Sequence, residues 1–574
     1  MRRSWPAILI WLVVQVGGWR LEATGEPAIA ASEEKLQQSR ERERAVAGHG
    51  DRSLTVAAQM PHTAQKEAQR LAQQGDDAAT ANRHQEAIEL YGRAMELDAS
   101  MREAVLPSLA LRYLWSNRPA RAVALLAERL DKHPDDCDAR FYYALALSWA
   151  SRQPAALAAY RNAAGLCPAR AQEARLGQAR VARWMERPSL AEELYRGVER
   201  EGSEPQKQEA RVGQGLTEMA RDNNRAARRI FSELISAGSR DPSAFEAEAI
   251  AELRLGGPDT ALHTLVRAAE AGARGDALDA LKAHIGRLQR PTLTSSTSSY
   301  WDGDGTSFQA LELSAAAGLN LRTTLAGFSG WSRLDQLGRS VDAQWSGVSV
   351  GRGFSEAWAL RAEARVTDFC NTGFRPFTGQ ANAIWTPNDR LRVDLGAGRL
   401  ALADYIPSFD HRLTGAFAGA GMTFRITPLD SASAALDAIH WSEGNRRIRA
   451  RFDFAHRFEG RPQITIDLPI NYQSYDRPFS FGLYSPHWNI EAGPGLRVYL
   501  RRTHHFWLSL QARTGAGRDA TSDWSCFGTY SFDMERELAR HWGFHFSTGW
   551  TNSNLASSTG FRRRSLTFSL NRRL

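Results

Sequence analysis

Lysine is almost missing from this chain. Lys35, Lys66, Lys132, Lys207 and Lys282 are the only five in 574 residues, and positive charge in the last half is carried by arginine alone. The formal charge of +8 and pI near 9.4 therefore arise without a lysine-rich tail or a dense basic run interleaved with aromatics. That pattern argues against a nucleic-acid partner. Long apolar runs are scarce as well: beyond the N-terminus none reaches the roughly 18 residues of a membrane helix, so no helical span is expected. A Gly-rich phosphate loop, a nucleophile elbow and an HExxH helix are all lacking. The pairs His504-His505 and Asp410-His411 stand without further ligands at metal-binding spacing. No catalysis, metal or cofactor is expected.

The N-terminus sets Arg2 and Arg3 before an apolar run from Trp5 to about Val16, broken by Gly17-Gly18. This reads as a secretory signal peptide over residues 1–30, with small-residue cleavage sites at Ala23-Thr24-Gly25 or Ala28-Ile29-Ala30. Residues 31–60 are charged and rich in Gly and Ala with no steady apolar face, so they read as a flexible leader.

From residue 61 to about 290 a period appears. "HQEAIELYGRAMELDAS" recurs as "PARAVALLAERLDKHP", "PAALAAYRNAAGLCP", "LAEELYRGVER", "RAARRIFSELI" and "DTALHTLVRAA". The aligned small residues are Ala87, Ala122, Ala156, Ala191, Ala227 and Ala261, separated by 35, 34, 35, 36 and 34 residues. Four residues after each comes a bulky one: Tyr91, Leu126, Tyr160, Tyr195, Phe231 and Leu265. A helix-turn-helix period of about 34 residues, with a small residue where helices touch and a large one filling the gap, is the tetratricopeptide signature. Six repeats and a capping helix, "GDALDALKAHIGRLQ", would form a solenoid whose groove binds an extended partner or serves as a spacer. Cys137 and Cys167 fall at the same end of the third repeat's antiparallel pair, where they are a disulfide or two unrelated buried thiols.

Residues 291–574 change texture. Helical periodicity stops and 11 of the 17 Trp fall here. Segments of about ten residues alternate apolar and polar side chains, as in "PQITIDLPINY", "HWGFHFSTGW" and "RSLTFSLNRRL". Sixteen such segments begin near 293, 306, 322, 338, 355, 378, 390, 413, 431, 445, 462, 486, 504, 523, 541 and 560. Tight turns such as "GLNLR" and "TPNDR" alternate with long loops such as "ALADYIPSFDHR" and "QSYDRPFSFGLYSPH". An even strand number with short turns on one rim and long loops on the other fits an antiparallel transmembrane β-barrel, closed so that no backbone edge meets lipid. Trp at strand ends would form an interfacial belt. The expected fold class is thus an α + β multidomain chain, a tetratricopeptide α-solenoid followed by a 16-stranded barrel.

The polar parity would face a lumen. It holds an Arg row on one strand, Arg447, Arg449, Arg451 and Arg457 with Asp453, and also Arg361, Glu363, Arg365, Glu491 and Arg497. These could form a track that hydrogen-bonds a sliding hydrophilic polymer or a lattice of salt bridges that stiffens the wall.

In architecture the chain resembles the outer-membrane exopolysaccharide export porins, of the poly-N-acetylglucosamine and cellulose export types. At residue level the resemblance rests on "SSYWDGDG" and on "GLYSPHWNIEAGPGL". It implies a polysaccharide substrate, repeats in the periplasm that bind the polymer, a polymer-modifying enzyme or the inner-membrane synthase complex, and a barrel set in outer-membrane lipid. Departures are the fewer repeats, a lumen that is not acidic, and a terminal Leu574 in place of Phe. Surface-lipoprotein translocators, which also join such repeats to a barrel, commonly of fourteen strands, are the alternative.

Overall fold

The computed structural model describes residues 60–303, 305–403, 405–502, 506–539, 541–553 and 562–574. The expected signal peptide, the expected leader up to residue 59, and His504-His505 lie outside them.

Helices run as α1 Met60–Thr80, α2 His84–Leu97, α3 Met101–Trp115, α4 Pro119–Lys132, α5 Cys137–Trp149, α6 Gln153–Leu166 and α7 Ala171–Trp184. They continue as α8 Pro188–Glu201, α9 Glu204–Ala220, α10 Asn224–Ser236, α11 Pro242–Arg254, α12 Pro258–Glu270 and α13 Asp276–Arg287. Each odd and even pair is one repeat. The reversal inside each pair uses one left-handed residue: Asn82, Asn117, Ser151, Glu186 and Asp222 at φ 57–60°, and Gly256 at 76°. Proline at the first or second position starts α4, α6, α8 and α12, where its missing N–H has no helical partner to lose.

The six register alanines, all on second helices, are fully buried, and Tyr91, Tyr160, Tyr195 and Phe231 are among the largest fully buried side chains. Each of these four rings lies against a glycine of a first helix: Gly75 under Tyr91, Gly177 under Tyr160, Gly213 under Tyr195 and Gly215 under Phe231. A methyl group at any of them would overlap the ring. Cys137, the first residue of α5, and Cys167, just after α6, are joined by a disulfide with Cα atoms 5.6 Å apart.

The strands are β1 Thr292–Asp302, β2 Ser307–Asn320, β3 Thr323–Gln336, β4 Arg339–Gly353, β5 Trp358–Phe369, β6 Phe377–Trp385, β7 Leu391–Ala401, β8 Thr414–Arg425 and β9 Asp430–Trp441. They continue as β10 Arg446–Phe458, β11 Gln463–Tyr475, β12 Asn489–Ala492, β13 Gly495–Arg502, β14 Phe506–Asp519, β15 Ser525–Ala539, β16 Trp542–Thr551 and β17 Arg563–Arg573. Apart from β12 and β13, which do not pair with each other, each pairs antiparallel with its sequence neighbours, and β1 pairs with β17, so the sheet closes. Segments β12 and β13 share the neighbours β11 and β14, so they are one strand broken at Gly493-Pro494. The barrel therefore has sixteen strands, each starting within three residues of its expected position except that "WNIEAGPGL" is not continuous. Proline has no N–H to give the ladder, which is why pairing stops there.

Helices end at Arg287 and strands begin at Thr292, but compactness divides the chain elsewhere, at Arg112/Tyr113. From Tyr113 onward, the later repeats and the barrel form one compact unit.

Candidate functional site

Directly opposed residues in an antiparallel ladder share a face, so register sorts the wall into two surfaces. One carries Leu311, Val348, Leu436, Phe452, Leu468 and Phe568, all exposed, and is the apolar band of a membrane-spanning barrel. Trp542, Phe544, Phe546, Thr548 and Trp550 belong to it. The other surface lines the lumen. The expected Trp belt is incomplete, because Trp345 opposes Gly330 on the inner face, and Trp441 and Trp507 also point inward.

All ten candidate track residues lie on this inner face. Two of the sets are brought together by ion pairs. Asp437 on β9 accepts from Arg447 at 2.9 Å and from Arg449 at 2.8 Å. Arg451 is 3.7 Å from Asp453, and Arg513 is 2.9 Å from Asp467. Around the wall, Arg365 reaches Glu363 at 3.3 Å and Glu312 at 3.6 Å. Its guanidinium also lies 5.0 Å from the Phe328 ring centroid and 5.6 Å from that of Trp345, whose Nε1–H donates to Glu312 at 2.8 Å. Arg497 donates to the Gln511 side chain at 3.3 Å, Arg457 to the Pro428 carbonyl at 3.1 Å, and the Ser553 hydroxyl to Glu491 at 2.6 Å. Arg361 forms no ion pair among the described residues. Most of the row is thus paired, and the wall presents alternating charge with guanidinium and carboxylate edges still exposed. A lumenal cavity of about 850 Å³ is lined by Tyr300, Phe308, Glu312, Trp345, Glu363 and Arg365 among others. Glu312, Trp345, Asp437 and Asp467 were not candidates from sequence; their inward parity within otherwise apolar or small-residue strands was the available signal.

At the end of the barrel far from the helices, two long loops fold onto the inner wall. Residues 405–413, with a short helix Pro407–Asp410, bury Ile406 and Phe409 against Leu334, Val341, Ala343 and Phe369. Phe369 and Phe409 stack at 4.4 Å. Buried Gln336 accepts the Ile406 N–H at 2.9 Å, which anchors the loop backbone. Residues 476–488 bury Phe479 and Leu483 with Tyr405, Leu413, Ile439 and Trp441. The loops interlock: the Tyr405 hydroxyl donates to the Phe481 carbonyl at 2.9 Å, and His411 stacks on the Phe481 ring at 4.5 Å. These contacts build an apolar cluster on the inner wall at the far mouth. Several apolar residues inside "ALADYIPSFDHR" and "QSYDRPFSFGLYSPH" were its trace in the sequence.

At the opposite end, the tight turns hold second helices of the repeats. Asp389, between β6 and β7, accepts backbone N–H groups at the start of α10. Glu459, between β10 and β11, accepts the Ser189 N–H at 3.1 Å at the start of α8. Arg461 pairs with Glu186 at 3.0 Å, Arg322 with Asp259 at 2.7 Å, and Arg228 with Glu356. Arg425 donates to the Arg221 carbonyl at 2.8 Å and to Asn223 at 2.9 Å. A carboxylate at a helix N-terminus satisfies orphan N–H groups and favours the helix dipole. Turn residues and helix starts are therefore matched in charge. No group of three or more His, Cys, Asp or Glu placed to hold a metal occurs among the described residues.

No family model and no curated protein matches the chain. Among solved structures, it is similar to a bacterial polysaccharide outer membrane secretin at 16% identity, over 50% of this chain and 99% of that one, with a TM-score of 0.42. A tetratricopeptide repeat protein from Parabacteroides merdae matches at 20% identity over 38% of this chain and 85% of its own, TM-score 0.34. CdiB from Acinetobacter baumannii matches at 9% identity over 50% and 60%, TM-score 0.33.

Proposed function

We propose that the chain is an outer-membrane porin that exports a polysaccharide from the periplasm to the cell surface, with the repeats on the periplasmic side and the looped end outside. The observation that carries this reading is the joining of two parts. A closed barrel with a hydrophilic, ion-paired lumen is bound by its short-turn rim to an array of repeats. A wall of alternating guanidinium and carboxylate groups offers many exchangeable hydrogen bonds to hydroxyl and amide groups, which suits a sliding sugar chain. Balanced charge avoids holding any one unit tightly.

Within that class, a poly-N-acetylglucosamine or cellulose-like polymer is the reading we favour. The repeat domain would bind the polymer, a periplasmic modifying enzyme or the inner-membrane synthase complex. The protein does no chemistry of its own in this proposal, so the driving force comes from synthesis.

Deleting the gene and assaying hexosamine and glucan polymer in medium, on the surface and in the periplasm tests the proposal. Polymer lost outside and retained in the periplasm is the expected result and names the sugar. Unchanged polymer with a missing surface lipoprotein would favour protein translocation instead.

A further inference from the structure

Between the leader and the barrel the chain has three tryptophans, Trp115, Trp149 and Trp184, spaced by 34 and 35 residues. They are the final residues of α3, α5 and α7, the first helices of three consecutive repeats. None joins the core: their exposures are 43, 41 and 38%. The Trp115 and Trp149 rings meet edge to face with centroids 5.3 Å apart. Three residues beyond each stands an exposed arginine, Arg118, Arg152 and Arg187, just before the second helix. Sequence periodicity thus repeats an aromatic and a guanidinium at one place in successive turns of the solenoid.

A large apolar ring kept at the surface in three successive repeats, where the first helices α1, α9 and α11 end instead in Thr80, Ala220 and Arg254, marks a binding surface. We infer that this ladder of Trp and Arg binds a linear polysaccharide carrying no net positive charge, an inference that rests on the export function proposed above. A pyranose ring presents a C–H face to an indole and a rim of hydroxyl oxygens to guanidinium donors. A polymer that repeats can engage rungs that repeat, so individually weak contacts combine through effective concentration. The three arginines oppose a cationic chain.

The ladder is continuous with the contact between helices and barrel. Glu186, two residues after Trp184, pairs with Arg461 of the β10–β11 turn at 3.0 Å, and Ser189 donates to Glu459 of that turn. The last rung therefore stands at the rim, and the other two lie one and two repeats earlier in the array. A chain held there is delivered to the barrel.

The test uses the full-length protein in detergent, titrated calorimetrically with hexasaccharides of N-acetylglucosamine, glucose and glucosamine. The parent is expected to bind at least one uncharged hexasaccharide more tightly than the glucosamine one. Replacing Trp115, Trp149 and Trp184 together by Ala is expected to weaken that binding by at least about tenfold. Single Trp→Ala changes should each weaken it less, and Trp149→Tyr should retain it. Equal binding by the parent and the triple variant overturns the inference, as does a parent that prefers glucosamine or binds none of the three. Failure of the ladder and failure of export are separable in cells. If the triple variant exports polymer as the parent does while the deletion strain retains it in the periplasm, export stands and the ladder falls. If the deletion strain exports normally, the export reading itself fails.

Discussion

The Asp389 carboxylate accepts the backbone N–H of Arg225 at 3.0 and 3.1 Å, and that of Ala226 at 3.1 Å, so a barrel turn caps helix α10. The residue before the helix, Asn223, makes no side-chain cap bond of its own. It is engaged elsewhere, accepting from Arg425 of the barrel. The cap of one part is thus supplied by the other, and neither segment read alone contains it.

Asp389→Ala should therefore loosen the rim rather than the barrel. The expected cost is about 1 kcal/mol, typical of a lost helix cap. Amide hydrogen exchange should speed up at residues 224–228 with strand protection unchanged. Uniform protection in the variant would show that Asp389 is not a cap.

The contact of Gly177 with the Tyr160 ring gives a paired test in the solenoid. Gly177→Ala inserts a methyl group into the ring and should destabilise by about 1–3 kcal/mol, the usual cost of overpacking. Gly197→Ala, also in a helix interior but with no atoms within 4 Å of the added carbon, should stabilise by about 0.5–1 kcal/mol. Urea melts followed by helical circular dichroism would read both, and equal signs would refute the packing account.

Burial pushes the Glu252 carboxyl of α11 up to about 6, helped by the nearby Glu248 charge. An acid whose folded pKa is raised stabilises the fold most when protonated. Its contribution is fully present below the unfolded value of 4.5 and is lost as pH rises through about 6. The loss should be on the order of 1–2 kcal/mol at neutral pH. Glu252→Gln should flatten the stability profile of the helices between those two values. A parent profile that is already flat there would show that Glu252 is hydrated.

The interlocked loops should limit conductance. Shortening 476–488, or replacing Phe409 and Phe479 by Ser, removes apolar contacts that hold them to the inner wall. Single-channel current in planar bilayers should rise several-fold, with Tyr405→Phe giving a smaller rise through loss of its bond to Phe481. Unchanged current in the shortened protein would place the constriction deeper in the lumen.

Short-range pattern made the elements legible. A repeat of about 34 residues and an alternation of two are both properties of neighbouring positions, so Ala87 through Ala261 and the sixteen strand starts could be read directly. Parity also put Arg361, Glu363, Arg365, the Arg447 row, Glu491 and Arg497 on the inner face. What could not be read was which of them meet. Asp437 serves Arg447 and Arg449 only because register places β9 beside β10 at that height.

The sequence by itself determined a helical repeat array followed by a sixteen-stranded barrel, because backbone periodicity and burial are local constraints that each segment carries in full. Only the tertiary structure decided that Ile406 and Phe409 fold inward onto the wall, that Asp389 and Glu459 cap helices of the array, and that the compact division falls at Arg112/Tyr113. Those depend on which surfaces meet after the chain closes on itself, and contacts between residues far apart in sequence leave no period to read.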